Sequence, residues 1–177
     1  MVARSVSAVT LASQRFAIMA ASVAAPATPA LGTLAPDFTL PSTGGDQVTL
    51  SALRGQRVLI AFFPLAFTST CTAEMCAFSD DYDAFAAEGV TVLPISVDSI
   101  PTLKEFKAKH ELKSEFLSDF RRDVSRAYGV LLEHTFFSTR AYFLLDRDGV
   151  VRWAHVEENP GLRRDDAELL AAIRSNA

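Results

Sequence analysis

The run Arg57-Val-Leu-Ile-Ala-Phe-Phe63, closed by Pro64, constrains the fold of this chain more than any other stretch. An unbroken apolar run with no polar alternation describes a strand covered on both faces, so further chain must lie above and below it. From Cys71 the pattern changes period. Cys71, Met75, Phe78, Tyr82 and Phe85 recur at helical spacing and predict one helix, with Gly89 as its stop. A buried strand running straight into a helix is an α/β signature.

The remaining pattern extends that reading. "DFTLPSTGGDQVTL" holds two β-prone pieces around Gly44-Gly45 and predicts an N-terminal hairpin. "VTVLPISVD" is a second buried strand, in which Pro94 lacks a ladder donor and requires an edge, a bulge or a strand end. Ser99 and Pro101 open a helix with Leu103, Phe106 and His110 on one side. "EFLSD" is a short strand, and Asp123 to Tyr128 a short helix ended by Gly129. "AYFLLDRDGVVRWAHV" reads as a hairpin with Asp148-Gly149 as a two-residue turn. A last helix begins near Asp165-Asp166 and buries Leu169, Leu170 and Ile173. The order β-β-β-α-β-α-β-α-β-β-α predicts a central mixed sheet flanked by helices.

At 177 residues the chain suffices for one domain with a real core. Its net charge of −4 argues against nucleic acid or an anionic membrane as the main partner. Residues 1–36 differ from the rest: they carry no Asp or Glu, and Arg4 and Arg15 are their basic residues. Residues 1–33 are read either as a disordered extension, with Met19 as a natural start, or as a targeting segment. For the second reading, Phe16 to Ala25 is a short apolar run and Ala25-Pro26-Ala27 resembles a cleavage site, although Arg15 and Pro26 fit it poorly. The folded domain is expected over 34–177. The expected location is cytoplasmic, or exported or organellar if residues 1–30 are a targeting peptide.

Two cysteines, Cys71 and Cys76, are too few for a disulfide scaffold, so any chemistry they share is redox chemistry. Cys71 falls in the first turn of its helix, after the polar residues Thr68-Ser69-Thr70, where unpaired N–H groups favour an anion. An ordinary thiol is only about 3% ionised at pH 7. A helix terminus contributes about 0.3–1 kcal/mol towards changing that, so a cation is needed as well. No Lys or Arg stands between Arg57 and Lys104, and the cation must come from elsewhere in the fold. On periodicity alone, Cys71 as an ordinary core residue stays open. In an intact helix, residues five apart differ by about 140° in direction and have Cα atoms roughly 8–9 Å apart. A disulfide accepts about 4.4–6.8 Å, so Cys71 and Cys76 cannot bond within the helix.

"PLAFTSTCTAE" resembles the peroxiredoxin motif, with Pro64, Thr68 and Cys71 in its fixed positions and Glu74 three residues beyond the cysteine. The resemblance continues in order through "APDFTL", "SVDS", "FLSDF…AYGV" and "TRAYFLLDRDGVVRW". The cysteine five residues after the first is similar to the subgroup related to the bacterioferritin comigratory protein. "FFPLAFT" and the middle segment resemble a one-cysteine alkyl hydroperoxide reductase E type.

The resemblance implies a thioredoxin-like fold and a thiol-dependent peroxidase acting on hydrogen peroxide or alkyl hydroperoxides. Cys71 would be the peroxidatic cysteine and Arg140 the missing cation. Thr68 would hydrogen-bond the peroxide, and Pro64 would shield the thiolate. Glu74 would anchor an arginine, or be no more than an exposed first-turn carboxylate. Cys76 would resolve the oxidised Cys71 as a disulfide once the helix unwinds, or be a bystander. The reductant would be thioredoxin or another dithiol, the assembly a monomer or homodimer, and no metal or other cofactor is implied. Two other functions stay open: a peroxide-sensing relay, which keeps the same oxidation chemistry, and a thiol–disulfide oxidoreductase on the same fold. The second would use Cys-x-x-Cys or Cys-x-x-x-Cys, and neither spacing is present. His110, His134 and His155 show no ligand spacing.

Overall fold

The computed structural model describes residues 27–176; the extension or targeting readings of the N-terminus fall largely on residues 1–26, outside the described residues. The N-terminal hairpin pairs β1 (Thr39–Pro41) with β2 (Gln47–Thr49) and continues into a single 3₁₀ turn at Leu50–Leu53. The buried apolar run is β3 (Arg57–Phe62), the middle strand of a five-stranded sheet. On one side it pairs in parallel with β4 (Val90–Ser96), which in turn pairs with β5 (Leu117–Ser118). On the other side it pairs antiparallel with β8 (Ala141–Leu145), followed by β9 (Val151–Val156). The sheet is therefore mixed, as the residue pattern requires.

Helices cover both faces. α1 (Ser69–Asp80), α2 (Tyr82–Ala87), α3 (Ile100–Lys109) and α5 (Asp166–Ser175) lie on one side. The core there joins Leu59, Ala61 and Phe63 of the β3 segment to Cys71, Met75, Phe106 and Leu169. α4 (Asp123–Ala127) and the N-terminal hairpin cover the other side, packing Phe38, Leu40 and Tyr128 on Val58, Ile60 and Phe62. Odd and even residues of β3 thus enter separate cores, the period-2 consequence of a strand buried on both faces.

Local chemistry sets the helix ends. Ser99 caps α3, and Asp165 and Glu168 form a reciprocal capping box on α5. Pro94 pairs with Ala61 on the β3 side, while β5 reaches only Ile95 and Ser96, so the missing donor falls on an open edge.

Two expectations need correction, and one small element had no reading. The helix predicted from Cys71 through Phe85 is two helices broken at Asp81, and Tyr82, placed on the apolar stripe by spacing, is 41% exposed. Asp80 and Asp81 put negative charge at the C-terminal end of α1, where the helix dipole disfavours it. The β8–β9 connection is not a two-residue turn. Asp146 pairs with Val150 around Arg147-Asp148-Gly149, with Gly149 at φ 74° and a register shift in the ladder. Finally, "LLEHTFFS" contains a small hairpin, β6 (Leu131–Leu132) with β7 (Phe137–Ser138), too short to give a periodic signal.

Candidate active site

The site assembles at the C-terminal end of β3. There the chain passes through Pro64 into a loop and begins α1 at Ser69, which makes Cys71 the third helical residue. Thr68, the residue before the helix, makes no side-chain cap, so the first N–H groups of α1 remain available to an anion near Cys71. Pro64 is buried, and the loop after it is fixed by Asp98, whose Oδ2 accepts the Ala66 N–H at 2.8 Å and the Ser96 hydroxyl at 2.9 Å. Phe67 takes a left-handed φ of 65° and stacks edge-on against Phe106, with ring centres 5.1 Å apart. The exposed Thr68 hydroxyl donates to the Leu65 carbonyl at 3.0 Å.

Sheet register delivers the cation. Phe62 pairs with Ala141, which sets Arg140 beside Phe63, where β3 gives way to the loop. Arg140 is fully buried, and its Nη2 donates to the Cys71 sulfur at 3.4 Å. The same guanidinium donates through Nη1 to Glu74, through Nε to the Leu162 carbonyl at 2.8 Å, and through Nη2 to the Pro160 carbonyl at 3.1 Å. Glu74 is one turn along α1 from Cys71 and only 1% exposed, so the reading of it as an exposed first-turn carboxylate does not hold. It also accepts a hydrogen bond from the Tyr142 hydroxyl.

The buried charges shape one another. Burial pushes the Glu74 carboxyl up to about 7, against the pull of the Arg140 charge and the Tyr142 and Arg140 hydrogen bonds. Burial works against the Arg140 charge too, but Glu74 and the Cys71 sulfur outweigh it and hold the guanidinium above its ordinary value. Tyr142 is pushed up by burial and by Glu74.

The structure therefore brings Cys71 and Glu74 onto the one guanidinium of Arg140, with Pro64 and Thr68 on the loop that enters the same helix. Cys76 is half-buried further along α1, packed against the same core, and both cysteines are free thiols. Clefts of about 550 and 530 Å³ open elsewhere, and neither is lined by any of these six residues. Among the described residues no cluster of His, Cys, Asp and Glu is arranged to hold a metal ion. No helix of the described residues is long and apolar enough to cross a membrane.

Sequence reading missed Tyr142 and the carbonyls of Pro160 and Leu162. Alternation places Tyr142 of β8 on the same side as Arg140 just before the strand, a signal that was present. The carbonyls carry no residue-type signal, because any residue supplies one.

Residues 31–154 match the AhpC/TSA family. Alkyl hydroperoxide reductase E of Mycobacterium tuberculosis is 38% identical over 149 residues, 81% of this chain and 97% of that protein. Peroxiredoxin Bcp of Escherichia coli K12 is 39% identical over 126 residues, 68% of this chain and 81% of that one. Among solved structures, the reduced 2-Cys peroxiredoxin of Plasmodium vivax superposes with a TM-score of 0.76 at 33% identity, covering 81% of this chain and 80% of that one. The mitochondrial 2-Cys peroxiredoxin of Plasmodium falciparum superposes with a TM-score of 0.75 at 27% identity, covering 82% of this chain and 93% of that one. The mixed sheet flanked by helices is thus the thioredoxin-like fold, and the chain belongs to the AhpC/TSA family as a Bcp-like peroxiredoxin, a thiol-dependent peroxidase.

Proposed function

We propose that Cys71 is the peroxidatic residue and Cys76 its resolving partner. The observation that carries the first assignment is the Arg140 guanidinium 3.4 Å from the Cys71 sulfur, at a helix N-terminus. A fixed cation and unpaired N–H groups stabilise both a thiolate and the negative charge that grows as an O–O bond lengthens. The Cys71 thiolate attacks the terminal oxygen of hydrogen peroxide or an alkyl hydroperoxide. The O–O bond breaks, water or alcohol leaves with the incoming proton, and Cys71 becomes a sulfenic acid. Thr68, its own proton engaged by Leu65, presents oxygen lone pairs to the hydroperoxide O–H. Pro64 closes the buried side of the loop against water.

Resolution requires α1 to unwind from its N-terminal end, because its intact geometry keeps the two sulfurs apart. The Cys76 thiol then attacks the Cys71 sulfenic sulfur, a disulfide forms and water is released. A dithiol such as thioredoxin reduces that disulfide by exchange. Unwinding withdraws Cys71 from Arg140, so the oxidised site is dismantled while it is recycled.

Steady-state peroxide consumption with a dithiol tests the two roles separately. Cys71→Ser should abolish it, whereas Cys76→Ser should keep the first oxidation and slow recycling. Normal cycling of Cys76→Ser with thioredoxin would overturn the role given to Cys76.

A further inference from the structure

Arg140, the residue just before β8, and Tyr142, the second residue of β8, stand two apart and both reach Glu74 on α1, and both are fully buried. A phenol in an apolar core needs partners for its hydroxyl. Tyr142 has two: it donates to Glu74 on α1 and accepts the Arg164 N–H at 3.2 Å from the segment before α5. Those are the two elements that hold Arg140. Glu74 takes its Nη1, while Pro160 and Leu162, just ahead of Arg164, take Nη2 and Nε. One hydroxyl therefore ties together the two supports of the guanidinium that faces the Cys71 sulfur.

We propose that Tyr142 is a positioning residue for the peroxide step, acting through Glu74 to keep Arg140 aimed at the Cys71 sulfur; this rests on Cys71 being the peroxidatic thiol. A guanidinium is a rigid planar fork, so turning the carboxylate that grips one arm swings the other arm away from sulfur. The hydrogen bonds of the Tyr142 hydroxyl go to Glu74 and Arg164, and the one to the Cys71 sulfur comes from Arg140. Tyr128, the buried tyrosine of the opposite core, shows what a purely structural phenol does: it donates to the Pro36 carbonyl at 2.9 Å, remote from the site.

The groups acting on Glu74 are Arg140, Tyr142 and the charge of Arg163. Burial pushes Glu74 up to about 7, and the Tyr142 hydrogen bond is one of the forces that restrain it. Removing the hydroxyl favours a protonated Glu74 at neutral pH, and a neutral acid grips Arg140 less firmly.

The test is the second-order rate of Cys71 oxidation by hydrogen peroxide, from mildly acidic to alkaline pH, by rapid mixing and thiol-alkylation quench. Tyr142→Phe should slow it about 5–30-fold at neutral pH. Its acid limb should move to higher pH, and most of the rate should return at alkaline pH. Tyr128→Phe, the stability control, should stay within twofold of wild type. Adding Tyr142→Phe to Glu74→Gln should cost no further rate. A Tyr142→Phe profile matching wild type, or a loss additive with Glu74→Gln, overturns the proposal.

A second variant keeps the Tyr142 hydroxyl and changes its acidity. In a Tyr82→Phe/Tyr128→Phe background, 3-fluorotyrosine at Tyr142 makes the phenol a stronger donor and should move the acid limb to lower pH; an unchanged limb also overturns the proposal. Absence of any oxidation burst that Cys71→Ser removes overturns the underlying reading instead, and the role of Tyr142 with it.

Discussion

Replacing Arg140 by methionine should remove the charge facing Cys71 while keeping an unbranched side chain in a buried position. Two full charges 3.4 Å apart, with an effective dielectric near 20, interact by about 5 kcal/mol. Charge in the transition state is spread over sulfur and oxygen, and the α1 N–H groups remain, so about 3–4 kcal/mol of the loss should reach the rate. That is a slowing of roughly 10²–10³-fold in the first oxidation. The fold should survive. Glu74, already pushed up to about 7 by burial, takes a proton and keeps its hydrogen bond from Tyr142. The Pro160 and Leu162 carbonyls lose a donor each, which costs about 1–3 kcal/mol of stability. The assay mixes reduced protein with peroxide, quenches with an alkylating reagent and counts oxidised Cys71 by mass, beside a thermal melt. A folded Arg140→Met protein oxidised within fivefold of the wild-type rate would refute the electrostatic role of Arg140.

Asp98→Ala should free the loop at Ala66, destabilise the chain by about 1.5–3 kcal/mol and slow the first oxidation roughly tenfold; urea unfolding and the same quench assay report both. Cys76→Ser should leave that first step within twofold and build up over-oxidised Cys71 under repeated peroxide, read as added oxygen in intact mass. Asp166, buried at the start of α5 with neither carboxyl oxygen hydrogen-bonded, is pushed up to about 7 by burial and the Asp81 charge. Because the folded value is raised, its contribution to stability is fully present below about pH 4 and is lost as pH rises through about 7. Asp166→Asn should therefore be more stable than wild type at pH 8 by roughly 2–4 kcal/mol and show no gain at pH 4. Glu74 titrates over the same range in both proteins, so the difference in urea midpoints isolates Asp166, and parallel pH dependences would contradict the assignment.

The buried strand, the helix that follows it and Cys71 at the helix start were legible because each leaves a periodic or compositional mark. Arg140 was legible only through the family resemblance. Its partnership with Cys71 depends on the β3–β8 register, which brings together residues 69 apart in sequence and has no local trace. The end of α1 at Asp81 was missed because the apolar spacing runs on through a break in the backbone. Tyr142 was passed over for a related reason: a tyrosine in a buried strand looks like packing until the partners of its hydroxyl are known. What the sequence hid at this site is the set of groups that hold the arginine, and these come from α1, β8 and the segment before α5.

The central claim is that oxidation begins at Cys71 and passes to Cys76 as α1 unwinds. Intact mass of the reduced protein after one equivalent of hydrogen peroxide, with no dithiol present, tests it most directly. The account predicts loss of two hydrogens, reversed by dithiol, with a Cys71–Cys76 cross-link in the peptide map; Cys76→Ser should gain one oxygen instead, and Cys71→Ser should not change. A wild-type chain that keeps one added oxygen and never forms the cross-link would contradict it.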